Sequence, residues 1–172
     1  KRRILIMTNF TLNMEDTFDG GIQDGTYEVV ITKCEENATQ SGTEHVDMRL
    51  TIRNDIDQKF KNNIVFHKIW KAKATGKYDM RFFNTIGAAA QLQQGKQYSS
   101  IEELFKDFLG KPVRVTVKNE TSEYNGKTYE NLNVKRWEKT KFPELGHKFK
   151  TEDGGNPFAG ADVIDDNEDY PF

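Results

Sequence analysis

Two hydrophobic periods divide the chain. Tyr27 to Cys34 is rich in β-branched residues, and Glu44 to Arg53 alternates cleanly. The second run puts Val46, Met48, Leu50 and Ile52 on one face and His45, Asp47, Arg49, Thr51 and Arg53 on the other. Asn63 to Lys71 predicts a third strand, with Phe66, Lys68 and Trp70 along one side. Asp79 to Leu92 changes to steps of three and four (Phe82, Phe83, Ile86, Ala89, Ala90), which predicts a helix capped by Asp79. A second helix starts at the capping box Ser100-Ile101-Glu102-Glu103, buries Leu104, Phe105, Phe108 and Leu109, and closes at Gly110. From Lys111 to Lys118, Val113, Val115 and Val117 alternate with Arg114, Thr116 and Lys118. Asn125-Gly126 then marks a tight hairpin. Thr128 to Lys139 is the returning strand, with Leu132 and Val134 inward and Tyr129, Lys135 and Trp137 outward.

Three strands, one or two helices and two more strands is the element order of a five-stranded OB barrel, a partly open Greek-key closure. The expected fold class is therefore mainly β, with residues 26–143 as the barrel, 1–25 as an N-terminal arm and 144–172 as a flexible acidic tail. The glycines of the arm (Gly20, Gly21, Gly25) mark turns; no Gly-Lys-Ser/Thr follows them, so they form no phosphate loop.

At 172 residues the chain has the length of one domain. No window of 18 apolar residues predicts a membrane span. One cysteine, Cys34, and three scattered histidines allow neither an internal disulfide nor a zinc site of ordinary spacing, so no metal and no cofactor is expected. The short apolar run after Lys1-Arg2-Arg3 falls below signal-peptide length, which predicts a cytoplasmic protein. Codons for Lys-Arg-Arg can contain a ribosome-binding sequence, and Met7 is the expected natural start.

Charge adds the most. The net value of -2 splits at Lys150: seven acids and no Lys or Arg follow it, leaving 25 basic against 27 - 7 = 20 acidic residues before it, a net of +5. A basic body with an acidic tail points to nucleic-acid partners.

Unpaired strands are held by cations that track phosphates and by rings on which bases stack. Lys59 to Arg81 interleaves the two most densely, seven basic residues against Asp79 alone, with Phe60, Phe66, Trp70 and Tyr78 among them. The stretch from Trp70 to Tyr78 reads as a mobile loop. The candidate contacts are Arg49, Arg53, Phe66, Lys68, Trp70, Lys71, Lys73, Lys77, Tyr78, Arg81, Lys135 and Trp137. No catalytic residue is assigned: Glu102 and Glu103 are accounted for by helix capping, Asp55 and Asp57 fall in a loop, and His67 reads as a barrel residue.

The ending Asp165-Asp166-Asn167-Glu168-Asp169-Tyr170-Pro171-Phe172 resembles the acidic tip of bacterial single-stranded DNA-binding proteins, with tyrosine in place of the usual aliphatic residue. Through Asp24-Gly25-Thr26-Tyr27-Glu28-Val29-Val30-Ile31, the Trp70 region and the Asn-Gly hairpin, the body is similar to phage early proteins long catalogued as a domain of unknown function and regarded as single-stranded DNA-binding proteins. The resemblance implies an OB barrel that binds single-stranded DNA in phage replication or recombination inside a bacterial host. It also implies a tail whose Asp165, Asp166, Glu168, Asp169, Tyr170, Pro171 and Phe172 recruit replication, recombination or repair proteins. Two other readings are a protein-interaction module acting on a host nucleic-acid enzyme and a metal-dependent nuclease. Exposed rings of this kind also serve subunit faces, so a homodimer or higher homo-oligomer fits the same pattern.

Overall fold

Alternation and capping give five strands and two short helices in the expected order: β1 (Gly25–Ala38), β2 (Glu44–Ile52), β3 (Ile64–Trp70), α1 (Met80–Ala89), α2 (Ile101–Phe108), β4 (Pro112–Tyr124) and β5 (Lys127–Lys139). The computed structural model describes residues 11, 12, 14, 21–150 and 156–158. No helix among these is long and apolar enough to cross a membrane. The strands form one antiparallel sheet in the order β3-β2-β1-β4-β5, so β3 and β5 are its edges.

The inner face carries the core. Val29 and Ile31 of β1, Val46, Met48, Leu50 and Ile52 of β2, Val65 and Ile69 of β3, and Val113, Val115 and Val117 of β4 pack with Phe83 and Ile86 of α1 and Leu104, Phe105 and Phe108 of α2. Asp79 caps α1 by accepting the Arg81 amide at 3.0 Å. Ser100 caps α2 by accepting the Glu103 amide at 3.3 Å. The Glu103 carboxylate returns one residue earlier than a capping box requires, to the amide and hydroxyl of Ser99. At the hairpin, Asn125 and Gly126 both take positive φ (52° and 74°), as a type I′ turn demands.

Both sequence-derived boundaries move outward. Ile22 belongs to the core, and Asn119 ties the chain before β1 to β4 through the Ile22 carbonyl and Asp24. At the other end, residues 140–150 pack back onto the sheet, and His147 and Phe149 are buried. The fixing group is Arg53. Its guanidinium is fully buried, and all five N–H donors are used: two on the Asp55 carboxylate (3.0 and 2.7 Å), and one each on the Thr140 hydroxyl, the Phe142 carbonyl and the Glu144 carbonyl. Glu28, also buried, accepts from the Thr140 hydroxyl (2.6 Å) and the Lys141 amide (3.0 Å). Asn54 binds both backbone groups of Lys148.

This clasp explains why β1 reads Val29-Val30-Ile31 without alternation. Val30 lies on the outer face, outside the core cluster, and is as fully buried as its neighbours. A strand covered on both sides carries a continuous apolar run.

A second correction lies in β5. Thr116 pairs with Arg136 but Val117 pairs with Val134, so Lys135 is an extra, bulged residue. The bulge reverses the alternation beyond it. Trp137 therefore joins Val134 on the inner side and packs against the core instead of facing outward.

Candidate functional site

The outer faces of β2 and β3 meet in register. Arg49 pairs with Phe66, Asp47 with Lys68 and His45 with Trp70. Because strand side chains alternate, Phe66, Lys68 and Trp70 share the face opposite Val65 and Ile69. Phe66 is 62% exposed and Trp70 45%, despite their size. The Arg49 guanidinium carbon lies 5.7 Å from the Phe66 ring centroid, and the Lys68 ammonium 5.7 Å from that of Trp70. On β1 the same face continues with Lys33 beside Arg49 and Glu35 beside Asp47.

Trp70 rests on His45, which pattern reasoning placed on the polar face without a role. The two rings are 4.5 Å apart, and His45 is buried although it points away from the core. Its Nε2 lies 3.2 Å from an Asp47 oxygen, and its Nδ1 has no hydrogen-bond partner among the described residues. The pair is set by the antiparallel register of β2 and β3, which are joined by the eleven residues 53–63.

Beside this face, between β3 and β5, opens a trough of about 1260 Å³. Phe66 and Trp70 stand on one side, Leu132 and Val134 on the other, with Ile22 and Asn119 also lining it. No strand pairing joins β3 to β5 among the described residues. The two edges meet through the rings of His67 and Trp137. Burial depresses the His67 imidazole to about pH 4, so it is neutral at pH 7.

Of the sequence-derived candidates, Arg49, Phe66, Lys68 and Trp70 come together. Lys73 and Lys77 are exposed on the following loop, which is closed on itself by the Ala72 amide to the Lys77 carbonyl (2.9 Å) and the Gly76 amide to the Ala72 carbonyl (2.8 Å). Lys71 and Tyr78 are engaged at the base of that loop. Lys71 pairs with Glu44 and lies 3.9 Å from Glu36, while the Tyr78 hydroxyl donates to Glu36 at 2.7 Å. Burial and that carboxylate push the Tyr78 hydroxyl well above its usual range.

Arg81 is exposed but folded onto its own cap. Its hydrogen bonds hold the Asp79 carboxyl down at about 2. Lys135, on the bulge, pairs with Glu120 at 2.9 Å. Two candidates leave the interface altogether. Arg53 is consumed by the clasp, and Trp137 is turned inward by the bulge. The cations are therefore less pooled than the charge count suggests: acids 2 to 35 residues away in sequence pair with Lys68, Lys71, Arg81 and Lys135. Asp165 to Phe172 lie outside the described residues. Cys34 is buried, and burial raises its thiol to about 12, which leaves it without thiolate character at pH 7.

Comparison with known proteins yields a family model, described as Protein of unknown function (DUF669), that matches residues 9–157. No curated protein matches the chain.

Proposed function

The chain belongs to the DUF669 family, and from the face of β2 and β3 we propose that it is a non-enzymatic, largely sequence-independent binder of single-stranded DNA. One observation carries this reading: two large rings stand exposed four residues apart on one strand face, each with a cation over it. At ~3.3 Å per residue the rings are about 13 Å apart, so they would receive different bases of one strand. Exposed rings cost solvation without a ligand, and unpaired bases are the ligand that stacks on them at ~1 to 3 kcal/mol each.

The strand order β3-β2-β1-β4-β5 supports an OB reading, in which β2 and β3 carry the binding face. The unpaired β3–β5 seam would then be the partly open closure of the barrel. Binding in phage replication or recombination, with residues 165–172 recruiting partner proteins, is the role that the tail sequence supports.

Titrating oligothymidylate into the full chain while following tryptophan emission tests the proposal. Quenching is expected. With Arg49, Lys68, Lys73 and Lys77 as the phosphate contacts, log K should fall with log salt at a slope of about -3, at roughly -0.7 per contact. No quench and no salt dependence would refute it.

A further inference from the structure

Where the C-terminal segment crosses the outer face, it leaves a cavity of about 260 Å³. The sheet contributes Thr32, Thr51 and Ile64, and the crossing segment contributes His147, Phe149 and Phe158. Phe158 is seated there by three contacts. Its ring packs edge to face on Phe149 at 5.7 Å, its amide donates to the Asn156 side chain at 2.8 Å, and its side chain fills the space above Gly110, where an added Cβ would lie 2.6 Å from it.

The chemistry of the lining is narrow. Ile64, Phe149 and Phe158 offer carbon. Thr32 donates its hydroxyl proton to the Arg49 carbonyl at 3.2 Å and accepts that of Thr51 at 2.9 Å, so both hydroxyl protons are used. The His147 Nδ1 accepts the Asn54 amide at 3.1 Å, so in the neutral ring the proton resides on Nε2 as one donor. Lys148 and Lys150 flank the opening. A largely apolar slot with donors at the His147 Nε2 and the Asn62 side-chain amide, whose oxygen accepts from Asn54, and with lysines beside it fits a flat, carbon-faced group that carries edge acceptors and is joined to an anion. A nucleobase on its phosphodiester meets each of those requirements.

Position adds to this. Ile64 is the first outward residue of β3, followed on the same side by Phe66 and Trp70, so the cavity lies at one end of the ring row. From Ile64 to Trp70 the row is about 20 Å long.

We propose that this cavity takes one base of the bound strand, inserted beneath Phe149 and Phe158, while others stack on Phe66 and Trp70. The inference rests on the reading of that face as a single-strand site. The C-terminal segment is thereby part of the binding site as well as of the fold.

Photo-cross-linking of the full chain to oligothymidylates carrying one 5-iodouracil at successive positions tests it, with cross-linked peptides identified by mass spectrometry. Cross-links are expected both on the β3 rings and within 147–158. Cross-links confined to Phe66 and Trp70 would overturn the pocket and leave the face intact. Their absence from both would overturn the face as well. Phe158→Ala removes one wall without touching the Arg53 clasp, and is expected to weaken oligothymidylate binding about tenfold, within what one stacked base supplies. Unchanged affinity of this variant would also overturn the pocket.

Discussion

His67 and Trp137 meet edge to face, ring centroids 5.4 Å apart, across the seam between the two edge strands. One indole is thus spent on holding β5 near β3, while the other, Trp70, stands on the outer face. The two tryptophans report different things: Trp137 the integrity of the seam, Trp70 the occupancy of the site.

Removing the exposed rings should separate binding from folding. Phe66→Ala and Trp70→Ala are each expected to weaken oligothymidylate binding by ~1 to 3 kcal/mol, and Trp70→Ala to abolish most of the emission quench. Urea midpoints should move little, because neither ring is in the core. A variant that unfolds early yet binds normally would contradict the assignment.

Arg53 should behave in the opposite way. Arg53→Met leaves the Asp55 carboxylate without its cation and the Phe142 and Glu144 carbonyls without their donor, and breaking such a buried pair costs ~3 to 5 kcal/mol. Chemical denaturation should register that loss. If the midpoint stayed put while DNA affinity fell, Arg53 would be a phosphate contact after all.

Two truncations distinguish fold from tail. Ending the chain after Pro143 removes Glu144, His147 and Phe149 and should destabilise the whole sheet. Ending it after Phe158 should leave thermal stability unchanged. It should also tighten DNA binding at low salt, since the acidic residues that follow attract the same cations over distances that only salt screens. Calorimetry and filter binding on both proteins give the answer; equal stability of the two would refute the clasp.

Acid should loosen the seam before it reaches the carboxylates. An unfolded histidine takes up its proton near pH 6.5, whereas burial makes His67 refuse it until about pH 4. Stability therefore falls as pH is lowered through that window and levels below it, by about 3 kcal/mol for this group. His147, also lowered by burial, acts in the same direction. Burial works to raise Asp55, but Arg53 and the Gly146 amide hold it below its ordinary value, so its contribution is lost only at still lower pH. Urea midpoints from pH 7 to 4 should show a shallower slope in His67→Leu than in the parent.

Strands, helix caps and hairpin were legible because each is written in local side chains: alternation in β2 and β4, Ser100 before α2, Asn125-Gly126 in the turn. The Arg49–Phe66 and His45–Trp70 pairs follow from the β2–β3 register, which the eleven-residue connection between the strands does not spell out in sequence. Arg53 was misplaced because it continues the polar phase of β2, and two of the groups that enclose it are backbone carbonyls at 142 and 144, which carry no sequence signature. The apolar run through Val30 was the available hint that something covers the outer face. The Lys71–Glu44 pair was not legible because Glu44 lies on the neighbouring strand, far from the local window in which the charge of Lys71 was weighed.

The Lys135 bulge makes residue count at one point of β5 more consequential than residue identity. Exchanging the lysine for another exposed side chain alters a surface ion pair and little else. Deleting it would restore strict alternation and swing Trp137 out to solvent, leaving His67 facing a hole. For anyone aligning or redesigning this chain, position 135 is a spacer: its chemistry is negotiable, its presence is not.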